Sequence, residues 1–162
     1  MVKKILILGV LMVMAFSLGA CENKIPYNAV MYDDAGKWIA EQFLLENITQ
    51  GAYFEGINTD DNSYPKSVAR LIKSGEEFEA IFTEFPLEID FDKSIVCIYV
   101  FTCNYVRPYK INKIVVDNQT LKIEVKSVKP KEAVGDAVRS WQRCLVVKMD
   151  KTDVISVEFT EK

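Results

Sequence analysis

The stretch Ser94–Cys103, "SIVCIYVFTC", is apolar, β-branched or aromatic at almost every position. A strand covered on one face alternates apolar with polar residues, and this one does not. The composition therefore predicts a central strand buried on both faces. Such a strand needs neighbours in its own sheet and a packed layer above and below.

The neighbours are found downstream. "YKINKIVV" and "LKIEVKSV" flank Asp117-Asn118-Gln119-Thr120, a hairpin turn. Leu121, Ile123 and Val125 alternate with Lys122, Glu124 and Lys126, which gives one covered and one wet face. Lys129 to Ser140 contains Pro130 and Gly135 and is expected to be a loop. "CLVVKM" and "VISVEF" are expected to close the chain as a hairpin around Asp150–Asp153, with Ile155, Val157 and Phe159 inward.

The covering layer comes from upstream. Asp33 and Asp34 offer an N-cap to Ala35, Trp38, Ile39 and Phe43, whose spacing predicts a helix from about 34 to 48. Gln50 to Ser63 reads as a turn-rich connection with a short strand around Tyr53-Phe54, and Lys66 to Lys73 as a strand. Ser74-Gly75-Glu76-Glu77 has the S-x-x-E pattern of a capping box. It predicts a short second helix that buries Phe78, Ile81, Phe82 and Phe85 and stops at Pro86. The expected class is α+β: a mostly antiparallel sheet of about five to six strands, with the N-terminal helix and the short second helix on one side.

The N-terminus carries a different kind of signal. Lys3 and Lys4 precede an apolar run, Ile5 to Phe16, that is too short to span a bilayer. Leu18-Gly19-Ala20-Cys21 follows directly and resembles the bacterial lipobox. That resemblance implies that the Cys21 thiol takes a diacylglyceryl group and that cleavage falls between Ala20 and Cys21. Residues 1–20 are then a lipoprotein signal peptide, 21–31 the lipidated cysteine and its tether, and 32–162 a single domain. Two acyl chains matter because each buried methylene contributes about 0.8 kcal/mol and one chain anchors only marginally. Glu22 to Met31, fully extended, reaches about 35 Å, which keeps the domain close to the bilayer.

Cleavage after residue 20 leaves 142 of the 162 residues, one domain's length, with 18 basic and 23 acidic side chains. A net charge of −5 offers nothing to nucleic acid, so nucleic acid is not an expected partner. The membrane link is the lipid and not a basic patch. With Cys21 acylated, Cys97, Cys103 and Cys144 remain. They are either three small buried hydrophobes, or Cys144 pairs with one of the other two from a neighbouring strand.

Motifs for catalysis are lacking. The sequence has no histidine, which removes the commonest general base and zinc ligand and the Ser-His and Cys-His pairs. No phosphate-binding glycine pattern occurs among its 7 glycines. Asn58–Ser63, "NTDDNS", opens like a calcium loop, but Ser63 stands where glycine is needed and Ala69 where a bidentate glutamate is needed. Asp90 and Asp92 could share a strand face, although such pairs usually begin a strand at the surface. No cofactor, metal or catalytic residue is expected.

Tyr105, Arg107 and Tyr109 follow the central strand, and Arg139, Trp141 and Arg143 precede another. Three of the four arginines fall in these two short segments. Tyr, Trp and Arg dominate interface hot spots, so these six residues are the expected binding site for a protein or anionic ligand if their loops meet at one end of the sheet. The bland alternative has the aromatics covering the sheet end and the arginines paired with nearby acids.

"SGEEFEAIF", "IDFDKSIVCIYVFT", "YKINKI", "LKIEVK" and "LVVKMDKTDVISVEF" together resemble small uncharacterised lipoproteins of low-GC Gram-positive bacteria. Pro86 to Phe91, "PLEIDF", is more loosely similar to an element of protease-complex-inhibitor-like lipoprotein domains, whose Gly-Gly-Tyr element is replaced here by "CNYVRPY". The resemblance implies a lipid-anchored protein on the extracytoplasmic face of the cell membrane. It is expected to be a binding or assembly module, the alternative being an envelope enzyme or protease-complex inhibitor.

Overall fold

A computed structural model describes residues 25–48, 53–54, 57–58, 66–85, 88–103, 108–128 and 141–162. The expected signal peptide 1–20, Cys21, the expected acidic loop from residue 59 to 63, Pro86, Tyr105, Arg107 and Arg139 lie outside the described residues.

Strand β5 (Ser94–Cys103) is central, as its composition demands. It pairs antiparallel with β4 (Ser67–Ile72) on one side and with β8 (Trp141–Asp150) on the other. β1 (Tyr27–Tyr32) completes the sheet beyond β8, in the order β1-β8-β5-β4. Pleating sends Val96, Ile98 and Val100 to one face and Ile95 and Cys97 to the other, and all five have no exposed surface.

Each face has its own core. Val96, Ile98, Val100, Cys144 and Val146 pack under the helical layer with Ile39, Leu44, Ile48, Ile81 and Phe82. Ile95, Cys97, Leu145, Val147 and Met149 pack against Leu121, Ile123 and Val125 of a second sheet. That sheet holds β6 (Tyr109–Asp117), β7 (Thr120–Ser127) and β9 (Ser156–Glu161) in the order β6-β7-β9. The molecule is α+β with mostly antiparallel pairing, in three layers: helices, four-stranded sheet, three-stranded sheet. A two-stranded ribbon, β2 (Tyr53–Phe54) with β3 (Ile57–Asn58), pairs with neither sheet.

Four expectations are corrected. The segment assigned to the tether contains β1, because Tyr27–Tyr32 pairs along its whole length with Met149–Cys144. The expected helix 34–48 is broken into a 3-10 turn, Ala35–Lys37, and a short helix α1, Glu41–Asn47. Ile39 makes a bridge with Phe82 between them, and Asp34 makes no side-chain cap. The sheet of five to six strands is in fact seven strands divided between two sheets. The last expected hairpin does not form: β9 leaves β8 and pairs parallel with β7. Buried Val154 anchors that crossing, and Ile155, expected inward, is 69% exposed.

The second helix, α2 (Gly75–Glu79), starts where the capping pattern places it but ends at Glu79, well before Pro86. Of the four apolar residues expected on it only Phe78 is helical, and Ile81 and Phe82 are buried beyond its end. Ser74 Oγ accepts from Glu77 N at 3.2 Å, and the Glu77 carboxylate accepts from Lys73 N at 2.7 Å. The β6–β7 turn has φ of 49° at Asn118 and 62° at Gln119, the signature of a hairpin turn whose twist suits the flanking strands.

Pairing registers define two ends of the molecule. The near end, where Tyr27 enters, gathers the starts of β1 and β5, the ends of β4 and β8, and the β6–β7 turn. The far end gathers Tyr32, Ser67, Cys103, Trp141, Tyr109 and Ser127.

Candidate functional site

The far end brings together three of the six residues expected to bind. Phe101 lies opposite Arg143, and Cys103 opposite Trp141, in the β5–β8 register. Tyr109 begins β6 in the facing sheet, and its ring centroid stands 5.1 Å from that of Phe101 at 60°. The Arg143 guanidinium lies 5.9 Å from the Phe101 ring and 5.6 Å from the Tyr109 ring, within cation–π range of both.

Arg143 is only 2% exposed. A buried cation needs a charged partner, and Asp33 supplies it. The last β1–β8 pair is Tyr32–Cys144, so the next residue of the chain arrives beside Arg143. Arg143 Nε and Nη2 donate to Asp33 Oδ1 at 3.0 and 2.5 Å. Trp141 Nε1 donates to the Asp33 carbonyl at 2.7 Å. Asp33 is thus held twice, by charge and by its backbone, and it fastens the exit of β1 to the start of β8.

This arrangement makes Arg143 a buried part of a frame. Asp33 Oδ1 already takes its Nε and Nη2, and only 3% of the Arg143 side chain is exposed. The half-buried rings of Tyr109 and Trp141 and the exposed Asp33 carboxylate form the accessible part. Tyr105, Arg107 and Arg139 belong to the segments that join this frame, 104–107 and 129–140. Asp33, read from sequence as a helix cap, and Phe101, read as core, are the residues that sequence reasoning missed. Asp33 and Arg143 are 110 positions apart, and no local pattern announces such a pair.

The other expected chemistry resolves into structure. Asp90 and Asp92 do not share a strand face; they lie in the turn before β5. Asp90 Oδ1 accepts from Asp92 N at 3.0 Å, and Oδ2 pairs with Lys93 Nζ at 2.9 Å. The Lys93 hydrogen bond, with help from the Asp92 N–H, holds the Asp90 carboxyl below its ordinary value. Cys97, Cys103 and Cys144 are buried and in no disulfide. Cys97 and Cys144 face opposite cores. Burial pushes the Cys97 thiol up to about 12 and raises that of Cys144 as well. No cluster of three or more potential metal ligands occurs among the described residues.

A second feature lies on the helical face. Phe78, Phe82, Phe85 and Phe91 form a ring cluster with centroids 4.4 to 5.7 Å apart. Together with Ile89 and Thr83 they line an open groove of about 300 Å³. No helix among the described residues is long and apolar enough to cross a membrane. No protein-family model, curated protein or solved structure matches the chain.

Proposed function

We propose that the protein is a lipid-anchored module on the extracytoplasmic face of the cell membrane, which binds or assembles with a partner and catalyses no reaction. The anchor is a diacylglyceryl group on Cys21. Partner recognition falls to the far end, to Tyr109, Trp141 and Arg143 together with Tyr105, Arg107 and Arg139.

One observation supports this reading: Tyr27, which follows Cys21 closely in the chain, and Trp141 lie at opposite ends of the same sheet. Cys21 precedes Tyr27 by six residues, a reach of about 20 Å, and Tyr27 enters at the near end. Trp141 starts a ten-residue strand that finishes beside Tyr27, so the far end stands about 30 Å beyond the entry point. Loops on a rigid scaffold, held away from the bilayer, suit capture of a protein or anionic ligand.

The test is photo-crosslinking in intact cells. A crosslinking amino acid at position 110, exposed on β6, samples the far end; one at position 45, exposed on α1, is the control. A discrete adduct at 110 that disappears in Arg107→Glu with Arg139→Glu supports the reading. No adduct at 110, or one indifferent to both substitutions, contradicts it.

A further inference from the structure

Five large apolar side chains are exposed among the described residues, and three of them stand at the near end: Tyr27 at 46%, Val116 at 42% and Ile155 at 69%. Their grouping follows from topology. Tyr27 pairs with Met149, one residue before β8 ends. The chain then crosses to β9, and Ile155 N donates to Gln119 O in the β6–β7 turn at 2.8 Å. Val116 pairs with Leu121 beside that turn. Ile155 has no structural reason to be a large aliphatic, since its neighbour Val154 fills the core position.

Four of the five described lysines of this end are engaged, and the fifth, half-buried Lys148, lies beside Tyr27 and Asn28. Lys73 Nζ donates to the Val154 carbonyl, Lys93 pairs with Asp90, Lys122 pairs with Asp117, and Lys151 Nζ donates to the Phe91 carbonyl. With Asp150 and Asp153 also exposed here, the one remaining lysine does not make a basic patch for anionic headgroups. What it offers to a surface is apolar.

We infer that the near end is a membrane-contacting face, with Ile155, Tyr27 and Val116 seated in the interfacial layer of the bilayer to which Cys21 is attached. The inference rests on the lipid-anchor reading and adds an orientation to it. The length of chain outside the described structure names the occupant: five residues separate Cys21 from Tyr27, so the end that bears Tyr27 is held within about 20 Å of the lipid. At that effective concentration a few exposed apolar side chains suffice for docking, because the anchor has already brought the domain to the surface. The sheet then stands on the membrane with Trp141 and Tyr109 facing away from it. Contact of this kind is insensitive to salt and needs no anionic lipid.

A fluorescent amino acid encoded at position 155 tests this, with position 128 as control; Val128 is exposed at the far end, about 25 Å away along β7. The full chain, produced in a bacterial host with labelled palmitate, is reconstituted into phosphatidylcholine vesicles containing lipids brominated near the headgroup. Quenching at 155 should exceed that at 128 by at least about twofold and persist in high salt. Palmitate label with equal or no quenching at the two positions overturns the orientation and leaves the anchor standing. Preferential quenching at 155 without palmitate label removes the anchor and leaves the contact face. Absence of both overturns both.

Discussion

Asp33 and Arg143 form one ion pair from two different environments: the Arg143 side chain is 3% exposed and that of Asp33 69%. The cation is structural and the anion is open to solvent. Losing either partner should therefore have unequal consequences. Asp33→Ala removes a charged acceptor from a buried guanidinium but leaves its contacts with Phe101 and Tyr109. A loss of about 1–3 kcal/mol is expected, moderated by the exposure of Asp33. Arg143→Ala leaves the exposed Asp33 carboxylate to solvent but empties packed volume between the two rings, and should cost about 2–5 kcal/mol. Urea unfolding of both single variants and the double variant checks this. A double variant that is no worse than Arg143→Ala confirms that the two act as a unit.

The buried thiols predict a one-sided pH dependence. Burial raises the folded pKa of Cys97 to about 12, from an unfolded value near 9. A raised folded value favours the neutral thiol in the fold, so the contribution is fully present below the unfolded pKa and is lost as pH rises through the folded one. Stability should fall between about pH 9 and 12, and not on the acid side for this reason. Cys97→Ala should flatten that alkaline limb. Alkylation of folded protein at pH 8 should leave Cys97 and Cys144 unmodified until denaturant is added.

The β6–β7 turn holds a residue that is poorly suited to its backbone. Gln119 has φ of 62°, a left-handed conformation that costs a side-chain-bearing residue about 1 kcal/mol. Asparagine followed by glycine is the preferred pair for this turn, so Gln119→Gly should stabilise the domain by about 0.5–1 kcal/mol. The backbone carbonyl at this position, which receives Ile155 N, is kept in that variant. A shift of the urea midpoint in the opposite direction would show that the Gln119 side chain matters more than its φ.

Local patterns were legible in the sequence, and connections between sheets were not. β5 declares itself by lacking alternation, and the face of β7 by having it. Ser74 and Glu77 announce α2 through hydrogen bonds made within four residues. β1 was hidden because "YNAVMY" is short and mixed, and its existence depends on β8, far along the chain. The parallel β7–β9 pairing was hidden for a related reason. A four-residue polar segment between two apolar runs reads as a tight hairpin, yet buried Val154 at its end carries the chain to another sheet. At the candidate site, Trp141, Tyr109 and Arg143 were found by residue type. The burial of Arg143 was not, because it depends on an acid 110 positions away.

In the proposed function, location, orientation and partner access all depend on Cys21. The most direct measurement is incorporation of labelled fatty acid in cells expressing the full chain or Cys21→Ser, followed by membrane fractionation. With a lipid anchor at Cys21, the wild-type protein carries label and sediments with membranes, while Cys21→Ser carries none and appears as precursor or released protein. Equal label on Cys21→Ser, or an unlabelled wild-type protein, would contradict the anchor.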